Sequence, residues 1–169
     1  MGRKRKPNEY EIRGNVAYLT LTNRSGAEVA KALIDVSDLD RVLSQPRCYC
    51  GNENYVMLGY TGIKLHRFLL NAPDGMQVDH INGDRLDNRR SNTRLCTAGE
   101  NNMNRRYSQP LGRSGVRNVV WDPRAHKWFV KVRARGVQYL GGYFNNLEDA
   151  AEAAQRLRRQ AHGAFAVGD

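Results

Sequence analysis

Residues 77–101 carry the pattern that most constrains the fold, because two short strands, a polar loop and a helix follow one another with little spare chain. Asp79 and His80 end the first strand, and alternation along a strand directs their side chains to opposite faces. A tight turn and an Asn-rich loop occupy residues 81–92, and a second strand-like run occupies 93–96. The sequence therefore predicts a hairpin with a long polar loop, followed at once by a helix.

The start of that helix has a local signature of its own. Thr97 and Glu100 have the spacing of a capping box, in which the hydroxyl and the carboxylate each accept a hydrogen bond from a backbone N–H near the other. Asn101 then falls in the first helical turn. Any one Asn or Asp of this stretch is commonly a turn former. Four polar residues in register with a capping box instead favour a catalytic centre: Asp79, His80, Asn92 and Asn101.

These residue types suit phosphodiester hydrolysis. Histidine titrates near neutral pH and can accept a proton from water, while a bound metal ion stabilises the departing oxygen. A carboxylate and an amide oxygen are hard ligands, which suit Mg²⁺ or Mn²⁺ better than zinc.

The order of strand, loop, strand and helix with Asp-His, Asn and Asn resembles the HNH endonuclease family, whose core is the ββα-metal fold. The third signature position is Asn101 instead of His, a variant of the homing-type branch. The resemblance implies that His80 is the general base and that Asp79 and Asn101 hold a divalent metal ion, Mg²⁺ or Mn²⁺. It also implies a catalytic role for Asn92, which would brace the loop and orient His80.

Charge predicts the partner. The chain of 169 residues has 27 Lys and Arg against 17 Asp and Glu, a formal charge of +10. Such a surplus indicates a polyanion, here double-stranded DNA, because cations displace counterions from a phosphate backbone. No apolar run approaches the roughly 20 residues of a membrane span, and no signal peptide follows the basic start. We therefore expect a cytoplasmic protein without a membrane partner, in the host cytoplasm if a phage encodes it.

The three cysteines are odd in number and cannot form a complete disulfide framework, which favours a reducing compartment. Cys48 and Cys50, with Cys96 and His66 as conceivable partners, would be an unusual zinc set because only one residue separates the first two. Ordinary, partly buried thiols are the preferred interpretation.

The segments before the hairpin carry weaker signals. Residues 3–6 form a basic tail or an arm that touches phosphates. Alternation over residues 10–47 predicts a small strand pair and a short helix from Val36 to Leu43, capped by Ser37. Residues 55–70 look strand-like into a Leu-His-Arg tripeptide, which often precedes the core of phage HNH proteins. We interpret Arg67 as a phosphate contact and His66 as packing or support.

A different pattern begins after the nuclease helix. Arg105 and Arg106 leave that helix as candidate DNA contacts, and residues 108–113 break it as a linker. Three short strands are predicted at 116–121, 127–135 and 138–144. A helix over 147–162, capped by Asn146 with Asp149 three residues on, would cover one face of the sheet.

The uncovered face of this sheet is the candidate DNA surface. Alternation places Arg117, Val119 and Trp121 on one side of the first strand. The second strand would present four side chains on one side: Phe129, Lys131, Arg133 and Arg135. Such a face can enter a major groove, where Arg reads guanine, or it can be a solvated charged face, and pattern alone leaves both open.

Several motifs of this region resemble the Apetala-two (ethylene-response-factor) DNA-binding domain: Ser114-Gly115-Val116-Arg117, Trp128, Val132-Arg133, Gly142-Tyr143-Phe144 and Leu147-Glu148-Asp149-Ala150-Ala151. The resemblance implies that Arg117, Trp121 and Arg133 meet DNA, with Lys131 and Arg135 as further cations of the face. Val119 stands where plant members often carry Arg, and residues 139–142 change the register of the third strand. Base specificity is therefore not transferred.

The resulting prediction is an α+β protein, a ββα-metal HNH nuclease core followed by a three-stranded antiparallel sheet packed on one helix. Its segments are 1–54, a basic tail and strand-rich region; 55–107, the nuclease; 108–113, the linker; and 114–166, the sheet and helix. The predicted function is a metal-dependent, site-specific DNA endonuclease of the homing type. One centre per chain favours nicking, with monomer and homodimer both open. The alternatives are a DNA-binding regulator without cleavage and an HNH nuclease of phage restriction or packaging.

Overall fold

The computed structural model describes residues 6–23, 25–59, 61–104 and 112–166, and the chain forms two compact units, residues 1–96 and 97–169. Arg105, Arg106 and most of the predicted linker lie outside the described residues, as do residues 3–5 of the basic tail. No helix in the described part of the chain combines the length and apolar character needed to cross a membrane.

Unit 1 begins with an antiparallel sheet of three strands, β1 (Tyr10–Arg13), β2 (Val16–Thr22) and β3 (Glu28–Asp35), in that spatial order. Every second residue of β2 is buried, the pattern of a strand with one face on the core. The predicted strand pair is therefore wrong by one strand. The side-chain oxygen of Asn23 accepts hydrogen bonds from the N–H groups of Ser25 and Ala27, a turn that returns the chain into β3.

The helix predicted from Val36 to Leu43 is present, but its first turn is a 3-10 turn and its cap differs from the prediction. A single 3-10 turn (Val36–Asp38) precedes α1 (Leu39–Leu43), whose N-cap is Asp38 and not Ser37. Asp38 makes no side-chain bond to the helix, because Arg90 engages both of its carboxylate oxygens.

A second small sheet follows, with β4 (Cys48–Cys50), β5 (Val56–Leu58) and β6 (Ile63–Lys64) in antiparallel order. The strand predicted at Leu65 is wrong, since α2 (Leu65–Leu69) begins there. Leu65 and Leu69 are four residues apart and both buried, so the segment buries one helical face.

The last hairpin of unit 1 pairs β7 (Gln77–His80) with β8 (Thr93–Cys96) in antiparallel register, which confirms the two predicted strands. The core of the unit draws on β2, β3, α1, β4, β5 and α2. Residues on both sides of position 54 thus share one core.

Unit 2 begins with α3 (Ala98–Asn104), and the predicted capping box is confirmed. The Glu100 N–H donates to Thr97 Oγ1 at 3.2 Å, and the Thr97 N–H donates to Glu100 Oε2 at 2.9 Å. Each side chain therefore satisfies a backbone N–H of the first turn that lacks a helical partner.

The rest of unit 2 is a sheet under a helix, as predicted. The strands β9 (Val119–Asp122), β10 (Lys127–Ala134) and β11 (Val137–Phe144) are antiparallel with β10 in the centre, and α4 (Leu147–His162) packs against them. Asn146 caps α4, because its Oδ1 accepts the Asp149 N–H at 2.8 Å.

Gly141 sits where β11 bulges between the partners of Val130 and Lys131. A Cβ atom at this position would lie 2.6 Å from Val130 Cγ1 and 3.2 Å from Leu157 Cδ2. Only a glycine lets α4 approach the sheet at this point without displacing a side chain.

The predicted face of β9 is wrong. Residues directly opposite in an antiparallel pair share a face, and the partners of Val119 and Trp121 are Val130 and Trp128. Val130 and Trp128 belong to the core under α4, so Val119 and Trp121 lie on the helix side. Alternation predicts which residues of a strand share a face but not which face is buried, and the prediction placed Arg117, Val119 and Trp121 on the uncovered face.

Candidate active site

Asp79 and His80 lie side by side at the end of β7, and each is only 5% exposed. Asp79 lies opposite Arg94 on β8. Its Oδ2 accepts two hydrogen bonds from Arg94, from Nε at 2.9 Å and from Nη2 at 2.7 Å. The sequence reasoning missed Arg94. The signal was available, because the predicted hairpin places an Arg opposite an Asp, and such cross-strand pairs interact.

Burial sets the protonation state of His80. It lowers the pKa of the imidazole, and this outweighs the opposing effects of a hydrogen bond with Asn88 and of the Asp79 carboxylate. His80 therefore carries a neutral imidazole at neutral pH, the form that can accept a proton.

An aromatic cluster holds the His80 ring. The His66 ring on α2 meets it edge-on, with centroids 4.8 Å apart, and the Tyr55 ring lies 5.4 Å from His66. His66 is buried, in agreement with its predicted packing role. Burial is the main cause that lowers the pKa of His66 to about 3.

Asn92 closes the loop between β7 and β8. Its Oδ1 accepts the Asn82 N–H at 3.0 Å, and its Nδ2 donates to the Asp87 carbonyl at 2.8 Å. The Ile81 N–H also donates to the Asn92 carbonyl at 2.8 Å. One buried amide thus ties both ends of the loop together immediately after His80.

The same loop is fastened to the first sheet. The Asn88 N–H donates to the Leu33 carbonyl at 2.8 Å, and the Leu33 N–H donates to Leu86 at 2.9 Å. Arg90 donates to the two carboxylate oxygens of Asp38 at 2.9 and 2.7 Å. Sequence reasoning missed this fastening because its partners lie more than 50 positions apart.

Asp87 adds a buried charge to the loop. Burial alone would raise its pKa, but the two side-chain hydrogen bonds from Arg89 and the remaining contacts outweigh that effect and lower the pKa. Asp87 is therefore ionised at neutral pH and paired with Arg89.

The guanidinium of Arg67 is used within unit 1. It donates to the carbonyls of Met76 at 2.6 Å, Pro73 at 3.1 Å and Ala72 at 3.3 Å. These bonds hold the turn that leads into β7, and a phosphate contact by Arg67 stays a prediction.

Asn101, the second expected metal ligand, belongs to α3 in unit 2, whereas Asp79 belongs to unit 1. Among the described residues, no group of three or more His, Cys, Asp or Glu side chains is arranged to hold a metal ion. Cys48, Cys50 and Cys96 form no disulfide with one another, and burial raises the pKa of the Cys48 thiol to about 12.

The open face of the unit 2 sheet carries three of the expected DNA residues. Lys131 and Arg133 are exposed in the second half of β10, and Arg135 is exposed just after it. Beside them, the Phe129 and Tyr143 rings stack with centroids 4.6 Å apart. Arg117 precedes β9 and donates to the Met103 carbonyl at 3.2 Å. Trp121 packs edge-on against Trp128 on the helix side, with centroids 4.9 Å apart.

Comparison with known proteins decides the family. A family model described as HNH endonuclease matches residues 71–103, which include the hairpin and the capped helix. Protein 3.8 of Escherichia phage T7 is 33% identical over 94 residues, which cover 56% of this chain and 76% of that protein. The chain belongs to the HNH endonuclease family. As a member of that family it is a DNA endonuclease.

A second relative extends over most of this HNH endonuclease. A protein of Acanthamoeba polyphaga mimivirus, named an uncharacterized HNH endonuclease, is 26% identical over 166 residues, which cover 94% of this chain and 84% of that protein. No solved structure shows a significant match to the chain.

Proposed function

We propose that this HNH endonuclease is a metal-dependent, site-specific enzyme of the homing type that nicks one strand of double-stranded DNA. The observation that carries the proposal is the pair at the end of β7, where a neutral, buried imidazole stands next to a buried carboxylate. A general base and a carboxylate that can hold a metal ion are the two groups that metal-assisted hydrolysis of a phosphodiester uses.

His80 is the general base. Its neutral ring accepts a proton from the attacking water, and the Asp79 carboxylate beside it stabilises the imidazolium that results. His66 and Tyr55 restrict the ring, because both pack within the same aromatic cluster. Asn92 keeps the loop after His80 closed, which limits the movement of the β7 end.

HNH nucleases generally use a divalent metal ion, and the donor chemistry of this chain fits one. The Asp79 carboxylate and the Asn101 amide supply the hard oxygens that Mg²⁺ and Mn²⁺ prefer. Asp79 shares Oδ2 with Arg94, but a carboxylate has about four acceptor sites on two oxygens. A bound ion would stabilise the charge on the departing oxygen.

Unit 2 anchors the enzyme on its target. Exposed Lys131, Arg133 and Arg135 supply positive charge, and the three-stranded sheet under one helix supports the resemblance to the Apetala-two domain. Phosphate contacts give affinity, and the flat strand face gives access to base edges. A second domain that only binds DNA favours a site-specific nuclease over a non-specific one.

Cleavage of supercoiled plasmids that carry genomic fragments, with Mg²⁺, tests the proposal. We expect nicked circles with ends at one sequence. Replacement of the base in His80→Asn should slow nicking by about a hundredfold or more, with little change in DNA affinity. The matched control is His126→Asn, because His126 is exposed in a turn at φ 50°, a conformation that Asn tolerates.

Each alternative gives a different product. Linear plasmid would contradict nicking, and ends at scattered positions would contradict the homing type. Tight DNA binding without any cleavage would support the regulator instead. Nicking by His80→Asn at the wild-type rate would refute the assignment of the base.

A further inference from the structure

Unit 2 contains a cavity of ≈ 750 Å³ beside the end of β10, beyond the part of the strand that pairs with β9. Helix α3 forms one wall, and the segment before β9, the end of β10 and the last turn of α4 form the others. All of these elements belong to one compact unit. The nuclease chemistry does not use this cavity, whereas Arg133 and Arg135 of the open sheet face line part of it.

The cavity is strongly cationic. Arg117, Arg133 and Arg135 line it, and the one carboxylate among its lining residues is that of Glu100. Glu100 Oε2 is committed to the capping box with Thr97, and its Oε1 lies 3.9 Å from Arg135 Nη2. Three guanidinium groups against one carboxylate leave an excess of two positive charges, which a bound anion would balance.

One further polar group of the cavity lacks a hydrogen-bond partner. His162 is 3% exposed, and neither of its ring nitrogens makes a hydrogen bond within the described residues. It approaches the backbone of Arg133 without reaching hydrogen-bond geometry. Buried ring nitrogens are normally hydrogen-bonded, and a neutral imidazole carries one N–H, which can donate to an anion in the cavity.

The second half of β10 lies beyond the ladder with β9 and borders the cavity. The ladder between β9 and β10 ends at Val130, and the Lys131 N–H instead donates to the Asn118 carbonyl at 3.1 Å. Alternate residues of a strand direct their N–H and C=O groups to the same edge, so those of Arg133 face the side where Asn118 lies. Arg133 itself makes no side-chain hydrogen bond or ion pair in the described part of the chain.

We propose that this cavity binds one phosphate group of the DNA backbone and anchors the enzyme independently of base sequence. Phosphate oxygens accept hydrogen bonds from several donors at once, whereas a guanine edge is read by one guanidinium in a bidentate pair. Converging arginines beside a strand edge fit the first kind of ligand. The inference rests on the proposed function, since it assigns Arg133 and Arg135 to phosphate and not to base recognition.

DNA affinity of the full chain, measured by fluorescence anisotropy in EDTA over a series of salt concentrations, tests the inference. Arg133→Gln and Arg135→Gln should each weaken binding on the order of tenfold, by the same factor for unrelated duplexes. Each should also reduce the slope of log affinity against log salt by about 0.9. The control Arg156→Gln, which removes an equally exposed charge from α4, should change affinity less than about twofold.

His162→Gln tests whether the buried part of the cavity contributes to DNA affinity, and circular dichroism reports whether this variant folds. Inorganic phosphate, compared with chloride at equal ionic strength, should displace DNA from the wild type more effectively than from Arg133→Gln. Phosphate binding with DNA affinity unaffected by Arg133→Gln would instead indicate a free phosphate ligand and overturn the proposal.

Two other outcomes would also overturn it. An altered preference among duplex sequences in Arg133→Gln would indicate base recognition, and an equal loss in Arg156→Gln would indicate a general charge effect. The nuclease proposal fails separately, because it is refuted by the absence of nicking in Mg²⁺ while these affinities are measured without metal.

Discussion

Loss of the Arg94 guanidinium should destabilise unit 1 far more than the loss of a surface cation. The side chains of Asp79 and Arg94 are 6% and 18% exposed, so the pair is largely withdrawn from water. Breaking a buried pair by removing one partner typically costs about 3–5 kcal/mol, because the other charge stays buried. We therefore expect Arg94→Met to lower the free energy of unfolding by roughly 3 kcal/mol.

A double-mutant cycle isolates the pair. Asp79→Asn and Arg94→Met should each destabilise the chain alone, and the double variant should recover much of the loss, with a coupling energy above about 1 kcal/mol. Additive losses within about 0.5 kcal/mol would refute the pairing as the source of the effect. A loss of only about 0.5 kcal/mol in Arg94→Met alone would also refute the pairing as the source of the effect.

The assay can separate the two units. Both tryptophans, Trp121 and Trp128, lie in unit 2, so tryptophan fluorescence follows that unit during urea unfolding. Amide hydrogen exchange of β7 and β8 follows the hairpin in unit 1. Arg94→Met should lower protection in the hairpin and leave the fluorescence transition unchanged.

A metal ion should partly replace the missing guanidinium. In Arg94→Met, Mn²⁺ at 100 times its Kd would restore about 2.7 kcal/mol if it binds the folded state alone. The wild type should gain less, because Arg94 already occupies Oδ2 of Asp79. Equal or greater stabilisation of the wild type would show that the ion does not bind at this carboxylate.

Two further changes test packing and charge. Gly141→Ala should destabilise unit 2 by about 1–3 kcal/mol in urea unfolding, since its methyl group would overlap Val130. The control Gly99→Ala should be neutral or stabilising, because only one side-chain atom lies near the new methyl group, at 3.9 Å. The neutral, buried His66 should make the wild type lose stability as the pH falls from about 6.5 toward 3, because the unfolded chain binds a proton at this residue and the folded chain does not. His66→Phe should flatten the slope of the unfolding free energy against pH by up to about 1.4 kcal/mol per pH unit.

Local chemistry made part of this molecule predictable. The capping box of Thr97 and Glu100 and the Asn146 cap of α4 depend on residues three positions apart, and both are present as predicted. The sequence predicts a strand at Leu65 where the structure has a helix, because a run of five residues carries too little periodicity to separate the two.

Contacts between distant segments could not be predicted from such local patterns. Arg90 binds Asp38 across 52 positions, and His66 reaches His80 only because α2 packs beside β7. The face of Trp121 followed from the strand register, which alternation alone does not set. The residues of the HNH motif were therefore visible in the sequence, whereas most of what holds them was not.

The fastening of the catalytic loop to β3 limits how this nuclease can be recombined. Residues 71–103 match the family model, yet the loop between the two catalytic strands takes backbone partners from Leu33 and a carboxylate from Asp38. A fragment cut near residue 55 and fused to another DNA-binding protein would carry the motif without the surface that shapes it. A transferable nuclease fragment must start no later than β1, so that it includes the amino-terminal sheet together with the catalytic residues.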